Sequence, residues 1–214
     1  MPLLPEMSIN KNRLEALSDG VFAIVMTLLV IEIKVPELAS KVNTAALLKE
    51  LDHLQPLFIS YFLTFAIISV LWLSHHFLFH HYAKNIDRVV VQLNVIFLAF
   101  LALIPFSSHF LGRYIDQPLA IAMFGINTFL TYLMILVMQI YILKADHIEN
   151  NPISNRILKQ GRVRMYLNLL FSFFGIGFGM LNPYIGVALF VFPVIFNAIP
   201  GLLNRLEKLF GFEL

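Results

Sequence analysis

The stretch RLEALSDGVFAIVMTLLVIEI, residues 13–33, places Arg13, Glu15, Ser18 and Asp19 at the start of an otherwise apolar run. Farther on, WLSHHFLFHH supplies Trp72, His75, His76, His80 and His81, and Asn94 sits inside another apolar run. These residue types bound the chemistry open to the chain. Asp19 and His75 are titratable and could pass a proton or touch an ion inside a membrane. With Glu15 they could also serve an enzyme as acid and base. No strong metal set, phosphate loop or serine elbow accompanies them, which argues against an enzyme. His76 and His80 stand at i and i+4, a spacing that can chelate zinc, but no supporting carboxylate is evident and no metal site is assigned. Gly175 and Gly179 in FFGIGFGMLNP read as small-residue helix packing rather than a phosphate cradle. No cofactor is implied.

The elements that must carry these groups follow from composition. Of 214 residues, 59% are hydrophobic and only 13% charged, and the mean hydropathy is +0.80. Soluble domains are nearer half apolar and a quarter charged, so the chain reads as an integral membrane protein with the lipid bilayer as its solvent. A net charge of +2 gives no reason to expect nucleic acid. With no cysteine, disulfides, thiolate metal sites and cysteine nucleophiles are excluded. The N-terminal MPLLPEMSINKNR lacks an apolar signal core with a small-residue cleavage site, so the first apolar segment is expected in the mature protein.

A membrane helix needs about 20 mainly apolar residues. Six segments qualify, at about 14–33, 54–79, 89–112, 117–143, 165–181 and 183–203, and they predict an all-α membrane protein made of one six-helix domain, 1–214. The fifth is short and is extended by snorkelling of Arg162 and Arg164. Residues 34–53 can hold a surface helix around Thr44–Leu51, and the C-terminal LLNRLEKLFGFEL has the spacing of an interfacial helix. Pro105, Pro193 and Pro200 mark kinks or span ends. With the N-terminus inside, Lys11, Arg13, Lys84, Arg88, Lys144, Arg156, Lys159, Arg162, Arg164, Arg205 and Lys208 fall on the inner side. Lys34, Lys41, Lys49 and Arg113 fall outside. That bias predicts cytoplasmic termini in a multi-pass protein of the cell (inner, plasma) membrane.

On this topology Asp19, His75 and Asn94 each lie six residues from a charged or histidine-bearing helix end, about 9 Å of helix rise. They can therefore share a plane, and the first reading is a structural network of Ser18, Asp19, His75 and Asn94 locking helices 1 to 3. Direct ion contact is the second reading. Beyond Asp19, Ile24, Thr27, Leu28 and Ile31 fall at i, i+3, i+4 and i+7, on one helix face. Ordinary packing would account for such a stripe. Yet helix 1 has the most polar inner end, which suits it to the protein axis better than to lipid.

The pattern Arg13-x-x-x-Leu17-Ser18-Asp19-Gly20 followed by VFAIVMTLLV resembles the prokaryotic branch of the transmembrane protein 175 family of potassium channels. Its hallmark is Arg-x-x-x-Phe-Ser-Asp, from which Leu17 is the one departure. Trp72-x-x-His75-His76 and Asn94 through LALIPF extend the likeness. The resemblance implies a homotetramer whose four copies of helix 1 line a central pore. It also implies hydrophobic constriction rings at Ile24, Leu28 and Ile31, a selectivity hydroxyl ring at Thr27, and a polar network of Arg13, Ser18, Asp19 and His75. The TVGYG filter of ordinary potassium channels is absent. The function so implied is a passive, potassium-preferring cation channel, not an enzyme, with K+ as the permeant ion and other monovalent cations as alternatives. The rival reading is a proton-coupled secondary transporter using Asp19 and His75, although no inverted repeat or matching pair of broken helices appears.

Overall fold

The computed structural model describes residues 10–36, 43–149, 154–199 and 202, and the described residues are helical apart from turns and loops. In chain order the helices are α1 (Lys11–Ile31), α2 (Thr44–His53), α3 (Gln55–Phe77), α4 (Arg88–Ala102), α5 (Ile104–Arg113), α6 (Pro118–Lys144), α7 (Asn155–Gly179) and α8 (Pro183–Ala198). A π-helical turn, Leu78–Tyr82, continues α3. Lys41, Pro200, Arg205, Lys208 and the expected interfacial C-terminal helix lie outside the described residues.

Helix starts follow local sequence. Asn10, Asn43, Asp87, Ser154 and Asn182 cap α1, α2, α4, α7 and α8 with side-chain oxygens that accept backbone N–H groups. Such caps fill donors that the first turn leaves unpaired. Proline opens α3, α5, α6 and α8, where its missing N–H costs nothing. Pro105 also separates α4 from α5 at Leu103, because it cannot donate back along a continuous helix.

Among the described residues, four segments are long and apolar enough to cross a membrane: Lys11–Ile31, Gln55–Tyr82, Arg88–Arg113 and Pro118–Lys144. Helix α8 is apolar but has 16 residues. Helix α7 runs for 25 residues, with Arg156, Lys159, Arg162 and Arg164 in its first half. Surface helix α2 has no buried residue, as an interfacial segment would.

The core lies where α3, α4 and α6 meet, around Leu71, Phe79, Phe97, Leu101, Phe124 and Tyr132. Between membrane helices lipid removes much of the hydrophobic drive, so close backbone approach and interhelical hydrogen bonds matter more. Helices α7 and α8 supply the first: a Cβ added to Gly186 would lie 2.8 Å from Gly179 Cα. Helices α3 and α5 supply the second, with Thr64 and Ser108 hydroxyls 2.8 Å apart. Asn127 of α6 donates to Ser107 of α5 at 3.1 Å.

Helix ends are pinned at both poles. At one, Lys11 Nζ donates to Ala83 O at 2.8 Å, and the Lys84 amide donates to Glu149 O at 2.9 Å. At the other, Glu32 lies 3.7 Å from His109, and Tyr184 donates to Asp116. Helix α1 therefore runs from the first pole to the second, with α3 opposite in direction.

A candidate pore-lining helix and its polar anchor

Helix α1 has two unlike faces. Leu14, Ser18, Phe22, Val25 and Leu29 are buried in the subunit. The opposite face carries Arg13, Leu17, Gly20, Ile24, Thr27, Leu28 and Ile31, all exposed. Ile24 is 59% exposed and Phe22 only 1%. Of the apolar window of α1, 28% is buried, against 61% for α6, so α1 lies at the margin of the subunit. The apolar residues on its open face would face lipid or another protein, not water.

Thr27 has a specific geometry on that face. Its hydroxyl donates along its own helix, to Ile24 O at 2.8 Å and Ala23 O at 3.0 Å. With the proton held by backbone carbonyls, the oxygen keeps its lone pairs for a partner outside the helix. A cation is such a partner.

The buried face is anchored by a directed chain of hydrogen bonds. His75 Nε2 lies 2.8 Å from Asn94 Oδ1. Asn94 Nδ2 donates to Ser18 Oγ at 3.0 Å, and Ser18 Oγ donates to Leu14 O at 2.9 Å. Because the Asn94 amide nitrogen is committed to Ser18, its oxygen faces His75, which therefore donates from Nε2. Ser18, His75 and Asn94 are all buried, so three helices share one satisfied network. Phe79 and Phe97 pack on the His75 ring at centroid distances of 4.6 and 5.4 Å, and Phe22 meets its edge at 5.7 Å.

The five polar residues grouped from sequence divide in the subunit. Ser18, His75 and Asn94 come together, whereas Asp19 is exposed and accepts a hydrogen bond from Trp72 Nε1 at 2.9 Å. Neighbours on a helix point about 100° apart, so burying Ser18 turns Asp19 away from His75. Arg13 is exposed and makes no ion pair among the described residues. Trp72 stacks on His76, and His76 stacks on His80, at centroid distances of 5.7 and 5.5 Å. Among the described residues no group of three His, Cys, Asp or Glu side chains is placed to hold a metal.

A second polar cluster was not foreseen. Asp87 Oδ1 caps α4 by accepting from the Val90 amide at 2.8 Å. Its Oδ2 accepts from the Tyr141 hydroxyl and lies 2.8 Å from His147 Nε2. Partial burial pushes the Asp87 carboxyl up, but the bonds from Tyr141, Val90 and His147 outweigh it and hold it below its ordinary value. An Asp just before an apolar run signals the cap. Nothing local signals Tyr141 or His147, which lie more than fifty residues away.

Comparisons with known proteins bear on what this all-helical bundle with its half-open first helix resembles. The model of the family described as endosomal/lysosomal potassium channel TMEM175 matches residues 13–105. A potassium channel of Chryseobacterium sp. (strain P1-3) is 28% identical over 198 residues, 92% of this chain and 96% of that protein. The human endosomal/lysosomal proton channel TMEM175 is 36% identical over 115 residues, 51% of this chain but 23% of the human protein. The crystal structure of a lysosomal potassium-selective channel TMEM175 homolog from Chamaesiphon minutus superposes with a TM-score of 0.70 at 26% identity. That superposition covers 88% of this chain and 96% of the other. The chain is thus similar, in sequence and in fold, to channels of the TMEM175 family. The relatives bear the names of channels, not of enzymes.

Proposed function

We propose that the chain is a passive, potassium-preferring cation channel, assembled as a homotetramer around a central pore lined by α1. The observation that carries this reading is the open face of α1, which presents Ile24, Thr27, Leu28 and Ile31 while its other face is bonded into the subunit. Four such faces turned to a common axis would stack apolar rings at Ile24, Leu28 and Ile31, with a hydroxyl ring at Thr27. Cyclic closure is the usual way identical subunits share one interface. Because α1 lies at the margin of the subunit, the pore on this reading forms between subunits, and the assembly conducts.

On this reading the chain is one six-helix domain. Helices α7 and α8 serve as the fifth and sixth spans, with Arg162 and Arg164 snorkelling at the start of the fifth. Both termini lie on the cytoplasmic side of the cell membrane, with the basic residues of that pole. The Ser18–Asn94–His75 chain holds α1 in register, and the Asp19–Trp72 pair lies beside the open face where a neighbouring subunit would pack.

The human relative is named for protons and the bacterial ones for potassium, so the experiment must separate the two ions. Purified protein in a planar bilayer is recorded with potassium on one side and sodium on the other, then with a pH gradient alone. The expected reversal potential follows potassium and barely moves with pH. Flux that requires a proton gradient would instead favour proton-coupled transport. Native mass spectrometry in mild detergent should give the tetramer, and a conducting monomer would sink the pore assignment.

A further inference from the structure

A cavity of about 390 Å³ lies between α3 with its π-helical turn, α6, α7 and α8. No residue of α1 lines it, and neither conduction nor the polar anchor uses it. Its walls are mostly apolar, from Val70, Phe77, Ile135 and Met165 among others. Three polar atoms without a close hydrogen-bond partner belong to residues that line it: the Tyr82 hydroxyl and Gln139 Oε1, whose side chains neighbour each other, and Arg164 Nε. The Tyr82 and Gln139 side chains are 2% and 3% exposed, so bulk water does not serve them.

The local backbone brings these groups together. The π-helical turn, a form that recurs at functional sites, carries Tyr82. Gly161 lets α7 approach it: a Cβ there would lie 2.7 Å from the Tyr82 hydroxyl. Unpaired buried polar groups are few in native folds, and three around one space call for an occupant. Water alone fits poorly, because the space far exceeds what one molecule needs and most of its wall offers no hydrogen bond. Exposed Leu73, His76 and Ile157 form the rim, so the cavity reaches the outer surface of the subunit.

We propose that this cavity binds one anionic phospholipid with a hydroxylated headgroup. Its phosphate would sit at Arg164 Nε and the Tyr82 hydroxyl, a headgroup hydroxyl would donate to Gln139 Oε1, and an acyl chain would follow the apolar wall. Arg164 supplies the complementary charge, and basic pockets between membrane helices are suited to such headgroups. The cavity lies at the pole of Lys11, Ala83 and Lys84, where the basic residues gather. The inference needs the chain in a membrane but not any particular permeant ion, so a failed conduction test leaves it standing.

The test is native mass spectrometry of the full chain titrated with phosphatidylglycerol, or with phosphatidylcholine of the same acyl chains. Wild type should retain phosphatidylglycerol in preference to phosphatidylcholine. Arg164→Gln should weaken that retention by roughly tenfold or more, the scale of one hydrogen bond to a charged group. Tyr82→Phe should weaken it less, and Arg113→Gln, at the other pole, should leave it unchanged. Should Arg164→Gln fail to fold, Tyr82→Phe carries the test, since it removes a single oxygen. Equal retention of the two lipids, wild-type retention in Arg164→Gln or Tyr82→Phe, or displacement by equimolar glycerol phosphate would each overturn the proposal, the last by showing a free-anion site.

Discussion

The Asp19 carboxylate accepts a hydrogen bond from the Trp72 indole at 2.9 Å, on the outside of the subunit, while adjacent Ser18 is bonded to Asn94 inside it. Two neighbouring polar residues thus hold α1 in two directions. One grips the subunit's own core. The other stiffens the surface beside the open face of α1.

Replacing Asp19 by Ala should therefore harm assembly more than ion preference. Trp72→Phe keeps the ring but removes the donor, so it should produce a similar loss. Because the two side chains form one contact, the double variant should be little worse than the harsher single, as coupled residues behave. Yield of the proposed tetramer and its melting temperature in detergent are the measurements. A stable Asp19→Ala tetramer that has lost potassium preference would make the acid an ion site instead.

Asn94 is the joint of the inner chain, with one amide group serving both His75 and Ser18. Asn94→Leu would leave the His75 donor and the Ser18 hydroxyl buried with one partner fewer each. Unsatisfied buried groups cost about 1–3 kcal/mol apiece. Ser18→Ala removes one bond and should cost less than Asn94→Leu. Thermal melts of the two variants rank them, and an Asn94→Leu protein as stable as wild type would remove the anchor from the argument.

The Asp87 cluster predicts a pH dependence of known sign. Hydrogen bonds from Tyr141, Val90 and His147 favour the ionised carboxylate, so its folded-state pKa lies below the unfolded one. Its contribution is fully present above the ordinary carboxylate pKa, about 4, and is lost as pH falls through the depressed value. Wild-type melting temperature should fall across that acid window. Asp87→Asn can still cap α4 but cannot titrate, so it should start lower at neutral pH and stay flatter through the window. Parallel curves for the two proteins would assign the acid sensitivity elsewhere.

Which features were legible in the sequence follows from how local their causes are. Apolar run length sufficed for α1, α3 and α6, and the surface helix expected around Thr44–Leu51 appears as α2. Pro105 signalled the interruption after α4, although the two helices beside it still make one span-length segment. Depth counted from charged helix ends put Asp19, His75 and Asn94 in one plane, and His75 and Asn94 do meet, with Ser18 beside Asp19 as the third partner. Depth says nothing about direction around a helix, however, which is why Asp19 was grouped with His75 and instead meets Trp72. The Asp87–Tyr141–His147 cluster and the cavity around Tyr82 were illegible for a related reason. Each is assembled from helices distant in sequence, and packing alone brings them together.

The last prediction concerns the open face of α1. A ring of four Ile24 side chains would be apolar and branched, able to narrow a pore until water leaves it, and an ion there would lose hydration with little returned by the wall. Thr27 stands one turn farther along, its hydroxyl proton held by Ile24 and Ala23 carbonyls and its oxygen free to face an ion. Ile24→Asn replaces the apolar wall with hydrogen-bonding amides, so conductance should rise and potassium preference should fall or vanish. Thr27→Val keeps the shape and removes the oxygen, so preference should weaken while conductance stays near wild type. Both side chains are exposed in the subunit, so neither change should impair its fold, and the melting temperature provides that control. Single-channel records of the two variants decide the matter. If Ile24→Asn left conductance unchanged while a substitution on another helix raised it, α1 would not be the pore wall.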